Sequence, residues 1–304
     1  MDVRRLRVLR ELADRGSVTA VAAALSYTPS AVSQQLRALT AEVGVPLTEP
    51  AGRGVRLTTA GRALVSGSED VFAALARAQA TVDGLRHHPS GEVRVVLFPS
   101  AARMLLAGVL HRLAVTPEVV LRCRDIDMTP PDVPALAADF DVVVTHRYEY
   151  TEPLTAPRWT VVPLLREPLD VVLPPGHRLA RRRTLRFSDL AEEAWISVDV
   201  GWPVDDVLRM LAVQTGVSPR VVQRINDFGV TEELVAAGLG VALLPRYSTD
   251  DRGGRRLARR PLAGVRAARF VEAVLRTGTV QRPAVQVVLE AMRAEADARV
   301  RARR

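Results

Sequence analysis

The sequence predicts an α+β protein of several domains: a winged helix-turn-helix, a long helix and a two-lobed α/β region. Residues 17–61 join a short apolar helix, a tight turn, a polar helix and a glycine-punctuated basic loop. Residues 60–86 lack proline and repeat apolar side chains every seven positions. Beyond residue 89, strand and helix patterns alternate, which indicates parallel strands joined by crossover helices.

The composition is that of a globular chain. Its 304 residues suffice for two or three domains, with 48% hydrophobic and 25% charged residues. No stretch offers the ~20 apolar residues of a membrane span, and the charged N-terminus lacks the apolar core of a secretory signal. We therefore expect a cytoplasmic protein. The single cysteine, Cys123, excludes an intrachain disulfide and a cysteine-based zinc cluster, and we expect no metal or cofactor.

The net charge of +8 lies mostly at the C-terminal end. Residues 252–304 hold 14 Arg against 4 acidic residues, whereas residues 1–60 hold 8 Arg against 5. An argument for DNA binding therefore rests on the motif rather than on the overall charge. Two interpretations of the arginine-rich segment stay open: a solvated face, or an auxiliary contact with DNA or an acidic partner.

The first two helices are predicted at about residues 2–15 and 18–25, and the third begins at Pro29 or Ser30 and precedes Gly44. Thr28 is the expected cap of the third helix, and Pro29 takes the favoured first position. Exposed Gln and Arg side chains pair with bases in the major groove, and a wing arginine contacts phosphate or the minor groove. The alternative is a polar face that is only solvated. The candidate DNA-binding residues are Thr28, Pro29, Ser30, Ser33, Gln34, Arg37 and Arg53.

About the first sixty residues resemble the LysR-type transcriptional regulators without a gap. The match departs at Thr48 and Pro50, where the family usually has an aromatic residue and an arginine. The resemblance implies a bacterial homodimer or homotetramer that binds double-stranded promoter DNA. The residues that carry it are Leu6, Gly16, Ser17, Ala22, Ala23, Leu25, Ser30, Ala31, Val32, Ser33, Gln34, Gln35, Leu39, Gly44, Val45, Pro46, Leu47, Gly54, Leu57, Thr58, Ala60 and Gly61.

The helix after the wing carries two apolar series offset by four residues, which are the seams of a heptad pattern. Such a strip needs a partner helix, and in the resembled family this helix pairs two subunits. Ser68 weakens the seam, and a helix packed on its own domain is the alternative. The expected dimer contacts are Leu64, Val71, Leu75, Ala78, Val82 and Leu85.

The remaining chain resembles the effector-binding half of the same family, which is similar to periplasmic binding proteins. The similar segments are residues 139–142, 174–180 and 236–245. His87 and His88 are interpreted as a solvated hinge rather than a metal site, because no third ligand lies near. The predicted domains are 1–59 for the winged helix-turn-helix, 60–88 for the dimerisation helix and 89–304 for the effector domain. Lobe I takes about 91–162 and 266–304, and lobe II about 163–265.

A ligand of such a two-lobed unit lies between the lobes, at the carboxyl ends of strands. Ser100 opens a helix whose backbone N–H groups suit an anion, so an anionic small-molecule effector is expected; a plain helix cap is the alternative. Trp195 and Trp202 are interpreted as core or lobe-edge residues. The candidate effector contacts are Pro99, Ser100, Ala101, Thr145, His146, Ser197, Asp227 and Phe228.

These patterns favour a regulator over an enzyme. The sequence shows no phosphate-binding glycine loop, no GxSxG turn and no metal-spaced His/Glu cluster. A redox-sensing disulfide needs two cysteines, so one cysteine argues against that mechanism. We predict a DNA-binding transcriptional regulator whose promoter binding is modulated by a small molecule between the lobes. The alternative is a ligand-independent, architectural DNA-binding regulator with a degenerate cleft.

Overall fold

A computed structural model describes residues 1–52, 54–83, 89–149 and 151–302. Its N-terminal domain is a three-helix unit followed by a two-stranded antiparallel wing. The side chains of Ser17 and Thr28 accept N–H groups at the starts of the second and third helices. Gly16 and Gly44 end the first and third helices with φ of 71° and 79°, which glycine adopts without strain. The elements are α1 (Val3–Arg15), α2 (Val18–Leu25), α3 (Pro29–Val43), β1 (Thr48–Ala51) and β2 (Gly54–Leu57).

The next element, α4 (Thr59–Asp83), is a single 25-residue helix. One face packs on its own chain, where Val65, Ser68 and Ala73 are buried. The helix approaches the C-terminal domain closely, because a Cβ on Gly278 would lie 2.8 Å from the Cβ of Ala76. A residue without a Cβ is therefore needed at this crossing, and glycine is that residue.

Lobe I is built on a mixed sheet with strand order β4-β3-β5-β11-β6. The first three of these strands are parallel, and β11 runs antiparallel to both of its neighbours. Helices α5 and α9 pack together, and Met104, Val109 and Val288 lie in the lobe I core. The elements are β3 (Gly91–Leu97), α5 (Pro99–Leu113), β4 (Val119–Asp125), α6 (Val133–Asp139), β5 (Val142–Tyr148), β6 (Trp159–Leu173), β11 (Ala268–Arg276) and α9 (Pro283–Ala302).

Strand β6 belongs to both lobes. Residues 159–163 and 165–168 pair with β11, and Leu169 onward pair with the strands of lobe II. The sequence predicted only a strand near 169–173, because Pro163 and Pro168 interrupt the apolar run. The register shift between Val271 and Glu272 lies opposite the first proline and accommodates it. The lobes are therefore connected by a continuous strand.

Lobe II contains two more strands, β9 and β10, that pair with β6, and a separate parallel pair, β7 and β8. Its core includes Trp195 and Leu211, which are almost completely buried. The sequence did not predict β10, because its two arginines and proline are not typical of a strand. The elements are β7 (Ala194–Ser197), α7 (Pro203–Thr215), β8 (Arg220–Arg224), α8 (Phe228–Ala236), β9 (Ala242–Pro245) and β10 (Ala258–Pro261).

The N-terminal domain rests on lobe I through a buried ionic cluster. Arg276 donates to Asp14 at 2.5 Å and to Glu11 at 3.3 Å, and Arg158 donates to the other oxygen of Asp14 at 2.9 Å. At its exposed edge, Arg15 donates to Asp139 of α6 at 2.7 Å. Within the described ranges, no helix is long and apolar enough to span a membrane.

Candidate functional sites

The N-terminal half of α3 presents polar side chains to solvent, while Val32, Leu36 and Leu39 bury the opposite face. Gln34 and Arg37 are exposed one turn apart. This division follows from helical spacing and leaves one end of the helix free to enter a groove.

The hydroxyls at the start of α3 are held by local hydrogen bonds. The Thr28 Oγ1 accepts from the N–H of Ala31 at 3.1 Å and lies 2.9 Å from the Ser30 Oγ. Ser33 donates to the carbonyl of Pro29 at 2.9 Å. These bonds fix the side chains in place at the exposed end of the helix.

The wing is partly described. Glu49 on β1 accepts from Arg56 on β2 at 2.8 Å, which pairs one wing arginine with a carboxylate. Arg53 lies outside the described residues. Tyr27, which was not selected from the sequence, is 44% exposed immediately before α3.

A cavity of about 570 Å³ lies between the lobes. It opens where β3 and β5 of lobe I end and where α7 and α8 of lobe II begin. Five residues selected from the sequence line it: Pro99, Ser100, His146, Asp227 and Phe228. The rule that ligands lie at the carboxyl ends of strands therefore located the cavity.

The other three selected residues are buried and do not line this cavity. Side chains alternate along a strand, so Thr145 faces the opposite side of β5 from His146. In the same way Val198 lines the cavity, whereas Ser197 is buried. Ala101, at the start of α5, is completely buried in lobe I.

The chief cavity residue that the sequence did not reveal is Arg269, at the start of β11. Its side chain is 2% exposed and lines the cavity. Its Nε and Nη2 both donate to Glu167 Oε2, at 2.8 and 2.7 Å, and Nη2 also donates to Ser100 Oγ at 3.1 Å. No local pattern signals this group, because its partners lie 102 and 169 residues away.

A second arginine joins the lobes across the cavity. Arg103 of α5 donates to both carboxylate oxygens of Glu232 on α8, at 3.1 and 2.9 Å. Glu232 is almost completely buried and also accepts from Arg256 at 3.0 Å. Because Arg103 is on lobe I and Glu232 on lobe II, this ion pair depends on how far the lobes are closed.

Burial controls the protonation of the two polar rings in the cavity. It lowers the pKa of His146 to about 3, with a smaller contribution from the positive charge of Arg269. It raises the pKa of Tyr148 above its ordinary value. Both rings are therefore neutral at physiological pH. His146 packs edge-on against Phe98 and Tyr148, with ring centroids 4.6 and 5.6 Å apart.

One face of α4 is apolar and exposed in the single chain. Val71, Leu75 and Val82 are 39%, 51% and 58% exposed, and Ala78 between them is also exposed. Leu64 is half-buried at the other end, whereas Leu85 lies outside the described residues, as do His87 and His88. The spacing is that of a heptad seam without its partner.

The architecture is that of a DNA-binding regulator: a winged helix-turn-helix joined by a long helix to a two-lobed binding domain. A family model for the lysR bacterial regulatory helix-turn-helix matches residues 3–62, and one for the LysR substrate binding domain matches residues 86–297. The chain belongs to the LysR family of transcriptional regulators. It therefore combines a DNA-binding domain with an effector-binding domain, and a small-molecule effector modulates its promoter binding. The alternative of a degenerate cleft is not supported.

Named relatives support the same family. The small neutral protease regulatory protein of Streptomyces coelicolor is 33% identical over 253 residues, covering 79% of this chain and 76% of that protein. The Hca operon transcriptional activator HcaR of Escherichia coli is 28% identical over 269 residues, with coverage of 87% and 88%.

Solved structures share the fold along the whole chain. Full-length OxyR C199D from Pseudomonas aeruginosa matches with a TM-score of 0.61 at 20% identity, covering 96% of this chain and 98% of that one. CbnR complexed with its target DNA matches with a TM-score of 0.54 at 22% identity, with coverage of 97% and 100%. The winged, two-lobed architecture is therefore a fold that solved LysR-family regulators also have.

Proposed function

We propose that the N-terminal half of α3 reads promoter bases in the major groove while the wing contacts the backbone. The observation that supports this most is the exposed pair Gln34 and Arg37 on a helix whose other face is buried. These side chains are the types that pair with adenine and guanine edges. The proposed DNA contacts are Thr28, Pro29, Ser30, Ser33, Gln34, Arg37 and Arg53.

Arginine substitutions separate base reading from phosphate contact. Arg37→Ala is expected to weaken binding to specific sites by about 1–3 kcal/mol and to leave binding to non-specific DNA nearly unchanged. Arg53→Ala is expected to weaken binding to all DNA sequences alike. It should also lower the slope of log K against log salt concentration by the amount that corresponds to about one phosphate contact. Titrations of specific and scrambled duplexes at several salt concentrations measure both effects. The control is Arg183→Ala, an exposed arginine of lobe II. Equal losses for Arg37→Ala and Arg53→Ala on every duplex contradict the assignment.

We propose that the cavity between the lobes is the effector site. Its residues come from both lobes, so an occupant contacts both and changes the balance between open and closed arrangements. The interlobe ion pair of Arg103 and Glu232 is the contact most sensitive to that balance. The proposed contacts from the sequence are Pro99, Ser100, His146, Asp227 and Phe228, to which Arg269 is added.

We propose a homodimer that pairs through α4, with further contacts between dimers in a tetramer. The exposed strip of Val71, Leu75, Ala78 and Val82 supports it, because a lone helix cannot bury this strip. Two recognition helices then reach half-sites about one helical turn apart. We assign residues 1–59 to DNA binding, 60–88 to dimerisation and 89–304 to effector binding.

We propose that the chain works in the cytoplasm and by binding alone, without catalysis. The support is its family, whose members regulate transcription. The lone thiol also argues against redox chemistry, since burial raises the pKa of Cys123 to about 11. A thiol in that state is a weak nucleophile at neutral pH. Alkylation of Cys123 that left DNA binding and effector response unchanged would agree with this assignment.

A further inference from the structure

The walls of the cavity are rich in aromatic rings. Phenylalanine, tyrosine and tryptophan make up only 4% of the chain, yet Phe98, Tyr148, Trp202 and Phe228 all line this one cavity. Trp202, interpreted from the sequence as a core or lobe-edge residue, thus faces the cavity. Flat rings on several sides favour a flat, apolar occupant, because aromatic pairs gain stability beyond the area they bury.

One end of the cavity carries a rigid positive group. Arg269 is fixed by Glu167, whose Oε1 accepts from the N–H groups of Tyr247 and Ser248 at 2.7 and 2.8 Å. The two Nη2 hydrogen bonds to serines, at 3.1 Å to Ser100 and 3.3 Å to Ser248, complete the arrangement. Among the described residues, nothing accepts from the Arg269 Nη1, so this nitrogen is free to bind an occupant.

Helix α5 adds positive potential at the cavity. It begins there with a proline, its N-cap Phe98 makes no side-chain capping bond, and its first turn holds no acidic residue. Its first backbone N–H groups therefore lack side-chain acceptors, and the helix end carries about half a positive charge. Helix α7 also begins at the cavity, but Asp205 and Asp206 in its first turn offset its N-terminal charge. This potential matters because Glu167 already balances the charge of Arg269.

The other charged side chains of the wall disfavour a second negative charge. Arg103 also lines the cavity, but it already donates to both carboxylate oxygens of Glu232. Asp127 and Asp227 both line the cavity, and Asp227 accepts from the N–H of Val230 at 2.9 Å as the cap of α8. Two carboxylates repel a ligand that has anionic groups at both ends. The polar end at Arg269 and Ser100 therefore suits one anionic group.

We propose that the effector is a small aromatic monocarboxylate, which deepens and rests on the proposed effector function. Its carboxylate binds Arg269 Nη1, the Ser100 hydroxyl and the N-terminus of α5. Its ring lies among Phe98, Tyr148 and the lobe II aromatics. A ligand in this position contacts both lobes, so its binding favours their closure.

A matched series of compounds tests the ligand class. Calorimetry with the full chain compares benzoate and phenylacetate with benzamide, cyclohexanecarboxylate and succinate. The aromatic acids are expected to bind at least about tenfold more tightly than any of the other three. The amide removes the charge, the cyclohexane removes the flat ring, and succinate adds a second carboxylate. Binding of any of these three as tightly as the aromatic acids overturns the proposal.

Two serines provide matched variants. Both hydroxyls bond Arg269 Nη2, but Ser100 lines the cavity and Ser248 does not. Ser100→Ala is expected to weaken benzoate binding about tenfold, whereas Ser248→Ala leaves it within about twofold. Equal effects of the two substitutions overturn the placement of the carboxylate. Trp202→Leu is expected to reduce the preference for benzoate over cyclohexanecarboxylate.

Different results would contradict the proposed ligand class and the proposed effector function. If no aromatic acid binds but another compound stabilises the chain and changes promoter binding, the ligand class is wrong and the effector function stands. If a broad thermal-shift screen finds no stabilising compound, both are overturned. Binding of the aromatic acids without any change in promoter binding supports the ligand class and contradicts the effector function.

Discussion

At the scale of single residues, His146 shows how burial decides a role. The ring is enclosed between Phe98 and Tyr148, and its Nδ1 has no hydrogen-bond partner within the part of the chain described. Its pKa of about 3 keeps it neutral, so it cannot supply the positive charge for an anionic effector. That role passes to Arg269, whose side chain lines the same cavity.

The neutral state of His146 predicts how stability depends on pH. The unfolded histidine titrates near pH 6.5, so between about pH 6.5 and pH 3 the unfolded chain binds a proton that the folded chain does not. The contribution of this site to the free energy of unfolding is therefore complete above pH 6.5. Below pH 6.5 it decreases by about 1.4 kcal/mol for each pH unit. In His146→Phe, this part of the decrease in unfolding free energy at acid pH should disappear. Denaturant unfolding between pH 7.5 and 5 measures it, and parallel curves for the two proteins contradict the prediction.

Local sequence patterns could predict some cavity residues but not others. Ser100 and Asp227 were predictable, because each stands where a strand or loop passes into a helix. The choice between Thr145 and His146 was not, since strand alternation allows either to face the cavity until the sheet faces are known. The pairing of Arg269 with Glu167 depends on β11 lying beside β6, a contact between distant parts of the chain.

At the scale of elements, α4 carries two different faces. Val65, Ser68 and Ala73 pack on the same chain, whereas the strip from Val71 to Val82 is exposed. One face of the helix therefore packs on its own chain, and pairing with a second helix along the other face stays a prediction. Ser68, included among the seam positions, is buried and donates to the carbonyl of Val65 at 2.8 Å. The heptad pattern predicted the helix and could not assign its two faces.

A charge placed on the exposed strip of α4 tests the dimer. Leu75→Glu puts a carboxylate in the middle of the apolar seam, where pairing would bury it without a partner. The expected result is dissociation to monomers, or loss of at least about tenfold in dimer affinity, by analytical ultracentrifugation. Arg77→Glu is the control, because this exposed residue lies off the seam. An unchanged dimer in Leu75→Glu shows that another surface pairs the subunits.

At the scale of the whole molecule, at least half of the arginine-rich C-terminal segment is paired: seven of its fourteen arginines form ion pairs among the described residues. Their carboxylate partners come from the DNA-binding domain, both lobes and the segment itself. For the other arginines, a solvated face and an auxiliary contact with DNA or an acidic partner stay the two predictions. The paired arginines are Arg252, Arg256, Arg259, Arg269, Arg276, Arg282 and Arg299.

The cluster around Asp14 connects the DNA-binding domain to lobe I. Burial raises the pKa of Asp14, and the positive charges of Arg276 and Arg158 oppose that effect. Arg10 of the same region stacks 3.8 Å from the ring of Phe72, and burial lowers its pKa to about 10. The buried acids therefore depend on their arginines, and the contact between domains depends on both.

Removing one arginine of this cluster is expected to destabilise the chain. Arg276→Ala leaves one oxygen of Glu11 and one oxygen of Asp14 without a donor, while Arg15 and Arg158 keep the other two. Breaking such a buried pair costs about 3 kcal/mol. Denaturant unfolding at fixed protein concentration measures the loss. Arg56→Ala is the control, because its pair with Glu49 is exposed and contributes less than about 1 kcal/mol. Similar losses for both variants contradict an ionic connection between the domains.

We expect an occupant of the cavity to change how the two DNA-binding domains of a dimer hold promoter DNA. The most direct measurement is the bend of a promoter duplex carrying two half-sites, read by fluorescence energy transfer between its ends, together with a nuclease footprint. Each is recorded with and without the compound that most stabilises the chain in a thermal screen. At saturating compound we expect a changed bend and a shifted footprint. A compound that binds between the lobes and leaves both unchanged contradicts it.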